Sequence, residues 1–226
     1  MKRSIRNKIG ILTLGAALML PPSHAAETFS STNDHTAATD SLKQETASKN
    51  FPRTAVKLNA AIFAGVINPA VEFRIAKHFT VQLETMGCFQ QNGFLWTDIP
   101  VTLATAWLEA HYYPKEAFSG FFVGPNFGYG VYRMSKGIAP GYWGSYPDSY
   151  QVGNNVMIGA TIGYAFRIGS HWGIELSWGA GWQLSFYEGH IMTDDPETNG
   201  DMYVGWNKSG EWLPAYKAAI NVVYRW

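Results

Sequence analysis

From Phe51 onward, apolar and polar residues alternate in short runs of period two. Between Gly173 and Phe186, one face collects Ile174, Leu176, Trp178, Ala180, Trp182, Leu184 and Phe186. The other collects Glu175, Ser177, Gly179, Gly181, Gln183 and Ser185. Successive side chains on a strand point to opposite sides, so this predicts one strand with two unlike faces. The segment from Lys217 to Trp226 repeats the pattern, as does Val156 to Phe166. Five less regular segments, Arg53–Ala64, Ala70–Ala76, Phe79–Phe89, Thr102–Tyr113 and Phe121–Tyr132, raise the expectation to about eight strands. Pro125 removes a ladder donor inside the fifth of these and predicts a local irregularity.

The expected connections differ in length. Those near Lys77, from Pro114 to Ser119 and from Ile168 to His171 are short, and so is Gly65–Asn68. Those from Gln90 to Pro100, Met134 to Val152 and Glu188 to Gly210 are long. Short turns at one rim and long loops at the other describe an outer-membrane barrel. A soluble lipocalin-like periplasmic binder has a similar strand count, so the choice rests on which face is apolar. The rings of the Trp178 and Trp182 face are too many for the interior of a small barrel. Glycines and short polar groups fit there instead. The fold expected is therefore all-β: a closed, antiparallel, up-and-down transmembrane β-barrel of about eight strands over residues 53–226.

That assignment sends a set of charges inward: Lys57, Glu72, Arg74, Glu84, Glu109, His111, Arg167, Glu175, Lys217 and Arg225. Isolated buried charges are costly, so these are expected to pair as an ionic plug rather than line an open pore. A narrow channel is the competing reading.

Composition agrees with a membrane address. Charged residues make up 15% and aromatics 15%, with 9 Trp, 12 Tyr and 13 Phe; a soluble domain carries about 25% charged residues. Lys2, Arg3, Arg6 and Lys8 precede an apolar run from Ile9 to Leu20, then Pro21-Pro22 and Ser23-His24-Ala25. This is the pattern of a signal peptide over 1–25. Residues 26–52 are too polar to bury a core and read as a disordered periplasmic leader. Without the signal the chain carries 13 basic against 17 acidic residues, which excludes the basic footprint of nucleic-acid binding. Cys88 is alone and forms no internal disulfide. Trp226, an aromatic at the end of an alternating strand, is the expected signal for the barrel assembly machinery.

The residues Lys57-Leu58-Asn59, Asn68-Pro69-Ala70-Val71-Glu72-Phe73, Glu109-Ala110-His111-Tyr112-Tyr113, Phe121-Phe122-Val123-Gly124 and Gly169-Ser170-His171-Trp172-Gly173-Ile174-Glu175 carry a resemblance. From about Arg53 to Trp226 the chain resembles a family of small outer-membrane barrels of unknown function, common in Gram-negative gut bacteria. The resemblance implies the fold and brings no catalytic residues. Where that family carries Arg this chain has His111, which makes an ion pair there dependent on pH.

Candidate chemistry is sparse. Glu109 and His111 share a strand face, as an acid–base pair does, and Ser185 and His190 lie near the outer rim where a lipid A-modifying enzyme would need a Ser and a His. Asp195, Glu197, Asn199 and Asp201 place oxygen ligands at alternate positions with Gly200 sixth, like the start of a calcium loop, but the twelfth position is Trp206 rather than Glu. Tyr142, Trp143 and Tyr146 offer an aromatic loop surface for an extracellular protein or glycan. The reading reached is a non-enzymatic outer-membrane protein without a cofactor. Its expected partners are outer-membrane lipid, the barrel assembly machinery and whatever its long loops bind.

Overall fold

The computed structural model describes residues 52–94, 100–135, 149–192 and 200–226. The expected signal peptide, nearly all of the expected leader and the aromatic loop residues Tyr142, Trp143 and Tyr146 lie outside them, as do Asp195, Glu197 and Asn199.

Nine strands form among the described residues: β1 (Thr54–Asn59), β2 (Val66–Ile67), β3 (Pro69–Arg74), β4 (Phe79–Gln90), β5 (Val101–Tyr112), β6 (Gly120–Met134), β7 (Ser149–Ile168), β8 (Trp172–Met192) and β9 (Asp201–Arg225). All pairings are antiparallel, in the order β2-β4-β3-β1-β9-β8-β7-β6-β5, and β4 also pairs with β5. Hydrogen bonding therefore returns on itself in a ring. Both β2 and β3 lie along β4, at Val66↔Cys88 and Ala70↔Glu84, so eight strands make the circuit and β2 prolongs the line of β3. Asn68 bridges the break between them, its amide donating to Thr85 O at 2.7 Å.

The first strand is shorter than its hydrophobic pattern predicts. It stops at Asn59, whose side chain accepts from the Ala61 N–H at 3.1 Å and caps a 3-10 turn over Ala60–Ala64. Gly65 closes that turn in the left-handed region at φ 77°, where a side chain would be strained. The last three strands are longer than predicted. β7 begins at Ser149, β8 continues to Met192 and β9 starts at Asp201. Backbone pairing there continues through glycines and polar residues that interrupt the alternation, so alternation alone under-reads it.

Two irregularities shape the ring. Pro125 keeps its register with Ala160 on β7, but on the β5 side pairing lapses between Glu109↔Asn126 and Tyr112↔Val123. On β9, Pro214, Ala215 and Tyr216 stand opposite the single Ala180 of β8. This is a bulge of the kind that bends a strand and re-aims its side chains.

Apolar residues dominate the outward side. Ile158, Ile162, Trp178, Trp182, Phe127 and Ile220 are each between 47% and 62% exposed. The inward side carries the buried polar residues and much of the glycine. A Cβ on Gly128 would collide with the Trp107 indole, so the glycine makes room for that ring. At the end of the ring that carries the short turns, Phe118 adopts φ 64° and tucks its side chain inward, 2% exposed, beside Ala55, Ala117 and Val223.

Candidate functional site

The inward charges form one alternating series across the ring. Glu175 on β8 receives Lys57 of β1 at 2.7 and 2.6 Å. Lys57 also pairs with Glu72 of β3 at 2.7 Å. The other Glu72 oxygen meets His111 Nδ1 of β5 at 3.1 Å, and His111 Nε2 meets Glu109 at 3.2 Å. Glu109 pairs with Lys217 of β9, which reaches Glu84 of β4 at 2.5 Å. Acid and base thus alternate from Glu175 through Lys57, Glu72, His111, Glu109 and Lys217 to Glu84. These residues are all 7% exposed or less.

Neutral donors hold the remaining lone pairs. Tyr113 OH donates to Glu72 at 3.0 Å, joined there by the Thr80 hydroxyl, and Thr161 donates to Glu109 at 2.6 Å. Asn68 donates to Glu84 at 3.0 Å, Gln82 donates to Glu84 at 2.8 Å, and Asn221 donates to Glu175 at 3.3 Å. Such saturation is what lets a charge cluster persist away from water. Lys57 also stands over the Phe122 ring and Lys217 over the Trp107 ring, each 5.8 Å from the centroid.

The other charged residues expected in this series occupy the short-turn end. Arg225 is 1% exposed and donates to Phe118 O at 3.0 Å and Trp172 O at 2.6 Å, binding backbone rather than carboxylate. Arg74 and Arg167 flank Glu116 at 3.6 and 3.9 Å and are more accessible. Their strand parity is inward, but their position near the turns leaves them at the mouth.

The two acid–base candidates end in different settings. Glu109 and His111 are in contact, yet both are saturated by the series. Ser185 faces inward and accepts from Gln183 at 2.9 Å, while His190 Nδ1 lies 3.1 Å from Asp201. Five residues apart on a strand, Ser185 and His190 have opposite parity. Asp201 also accepts from Tyr150 OH at 2.6 Å, and Tyr150 stacks on the His190 ring at 4.9 Å. Its carboxylate is thus engaged by the adjacent β8 and, past it, by β7. Among the described residues there is no cluster of three metal-ligating side chains.

Sequence reading missed the neutral partners, Asn68, Thr80, Gln82, Tyr113, Thr161 and Asn221. Inward parity was the available signal, but it does not say which carboxylate each would meet.

The family model described as "Protein of unknown function (DUF3575)" matches residues 36–226. No curated protein and no solved structure matches the chain.

Proposed function

The chain belongs to the DUF3575 family of proteins of unknown function, and we propose that it is a non-enzymatic outer-membrane β-barrel of a Gram-negative cell. Its polarity carries the reading: the outward face is aliphatic and aromatic, while Lys57, Glu72, Glu84, Glu109 and Glu175 are 3% exposed or less. A water-facing protein gains nothing from that inversion, whereas lipid stabilises the outward face and the ring of hydrogen bonds leaves few backbone groups unpaired in hydrocarbon. Lipid is then the surrounding solvent, and assembly calls on the cell's barrel-insertion machinery.

The ionic series crosses the interior from β8 to β4, which favours a plugged barrel over a channel. A spanning strand needs about 9–11 residues, and β7, β8 and β9 have 20, 21 and 25. Their surplus forms a ribbon beyond the membrane, at the rim opposite the short turns. With the loops it supports, that ribbon is the surface offered to an extracellular protein or glycan.

The test is electrophoresis of the outer-membrane fraction with and without boiling. A faster-migrating unboiled form is expected, because a closed barrel resists detergent unfolding. A protein that fractionates with the periplasm and shows no heat-dependent shift would overturn the proposal.

A further inference from the structure

The two ends of the ring differ in charge. At the level of the short turns Arg53, Lys77, Lys115 and Arg167 are exposed and Arg74 is half-buried, while Glu116 is the one acidic side chain among the described residues there. Toward the opposite end, past the ionic series, the balance reverses: Glu188, Asp201 and Glu211 outnumber Arg133 and Lys208 among the described residues. Glu116 is already shared by Arg74 and Arg167, at 3.6 and 3.9 Å. The side chains of Arg53, Lys77 and Lys115 have no ion pair or hydrogen bond among the described residues. Their backbones are nevertheless fixed. Ala117 N–H donates to Lys77 O at 3.0 Å, and Arg53 N–H donates to Trp226 O at 2.9 Å. Like charges held on one frame repel each other, and an anion relieves that repulsion.

A belt of rings adjoins this rim on the outward side. Phe79, Tyr112, Trp172, Tyr224 and Trp226 are all exposed. Trp172 and Tyr224 meet edge to face at 5.0 Å, and Phe79 lies 5.1 Å from Tyr112. Trp226 is bonded through its backbone to Arg53, and Phe79 follows Lys77 by two residues. Aromatic rings beside unpaired cations match the headgroup level of a bilayer, where rings meet the acyl boundary and long basic side chains reach the phosphates.

We infer that the short-turn rim binds the phosphates of an anionic phospholipid in the surrounding leaflet, an inference that rests on the barrel reading above. Arg53, Lys77 and Lys115 supply the free cations, and the acyl chains lie against the aromatic belt. An anionic headgroup is preferred to a zwitterionic one, because a zwitterion brings a cation of its own to a rim already in excess of positive charge.

The full chain is equilibrated in non-ionic micelles holding equal amounts of phosphatidylglycerol and phosphatidylcholine with the same acyl chains. It is then reisolated on affinity resin, and the lipid retained is counted by mass spectrometry. Phosphatidylglycerol should be enriched roughly tenfold, since each basic residue near an anionic surface contributes roughly fivefold and detergent dilutes the effect. The combined variant Arg53→Gln, Lys77→Gln, Lys115→Gln should lose that enrichment, whereas Arg133→Gln, Lys208→Gln at the other end should keep it. Millimolar inorganic phosphate should leave it unchanged. Equal retention of both lipids, a rim variant that still enriches, or displacement by inorganic phosphate overturns the inference; the last would assign the rim to a free anion. The heat-dependent gel shift is read on the same preparations. A shifted barrel without enrichment overturns this inference alone, and absence of the shift overturns the barrel reading together with it.

Discussion

Lys57 Nζ lies 2.7 and 2.6 Å from the two carboxylate oxygens of Glu175, tying β1 to β8 past the intervening β9. The two residues are 118 positions apart in sequence. Neither is reachable by solvent, so the pair is held by its geometry and by the neighbours that share it.

Removing the lysine should cost far more than removing the pair. Lys57→Met leaves Glu175 and Glu72 without their shared cation, and breaking a buried pair from one side costs about 3–5 kcal/mol. The double variant Lys57→Met, Glu175→Gln should recover a substantial part of that loss. Urea unfolding in detergent, read by the heat-dependent gel shift or by tryptophan fluorescence, measures both. A single variant as stable as the double would show that the pair is not coupled.

Inward and outward substitutions of similar size should differ sharply. Gly128→Leu drives a side chain into the Trp107 indole and should destabilise by about 1–3 kcal/mol, as overpacking does. Phe127→Leu, next to it on the 52%-exposed outward side, should stay within about 0.5 kcal/mol in detergent, as surface changes usually do. Equal costs would contradict the assignment of faces.

Ile158 tests the surroundings of the outer face. It is 62% exposed and sits between Phe127 and Trp182 in the sheet. If it meets hydrocarbon, Ile158→Arg should cost about 2–4 kcal/mol when the protein is folded into lipid vesicles, because charge on a lipid face is penalised with depth. In water the same change is nearly neutral. Comparing unfolding from vesicles with the wild type separates the two outcomes.

Asp201 should govern order in the ribbon beyond the ring. It accepts from Tyr150 and contacts His190, which joins β7, β8 and β9 near their outer ends. Asp201→Ala should speed amide exchange over Ser149–Val152 and His190–Met192 while leaving exchange around Glu175 and Thr161 unchanged. Uniform exchange in both regions would mean that the ribbon does not depend on this contact.

The strands from Phe79 to Phe89 and from Gly173 to Phe186 could be read from alternation because period two is a local property of the chain. The 3-10 turn at Ala60–Ala64 could not, since its residues continue the hydrophobic pattern and only the Asn59 cap and Gly65 divert it. The outer halves of β7 to β9 were hidden for the opposite reason, their pairing persisting where glycines and polar residues interrupt the alternation. Of the charged positions, Lys57, Glu72 and Glu109 were legible by parity, while Arg74 and Arg167 share that parity and lie at the mouth.

The sequence by itself determined which residues share a face, since a strand's pleat assigns each side chain by counting. The tertiary structure alone decided who meets whom. Lys57 reaches Glu175, and His111 stands between Glu72 and Glu109, because the stagger of neighbouring strands brings distant positions to the same height. Register, bulges and closure of the ring are cooperative, so no single segment of the chain encodes them.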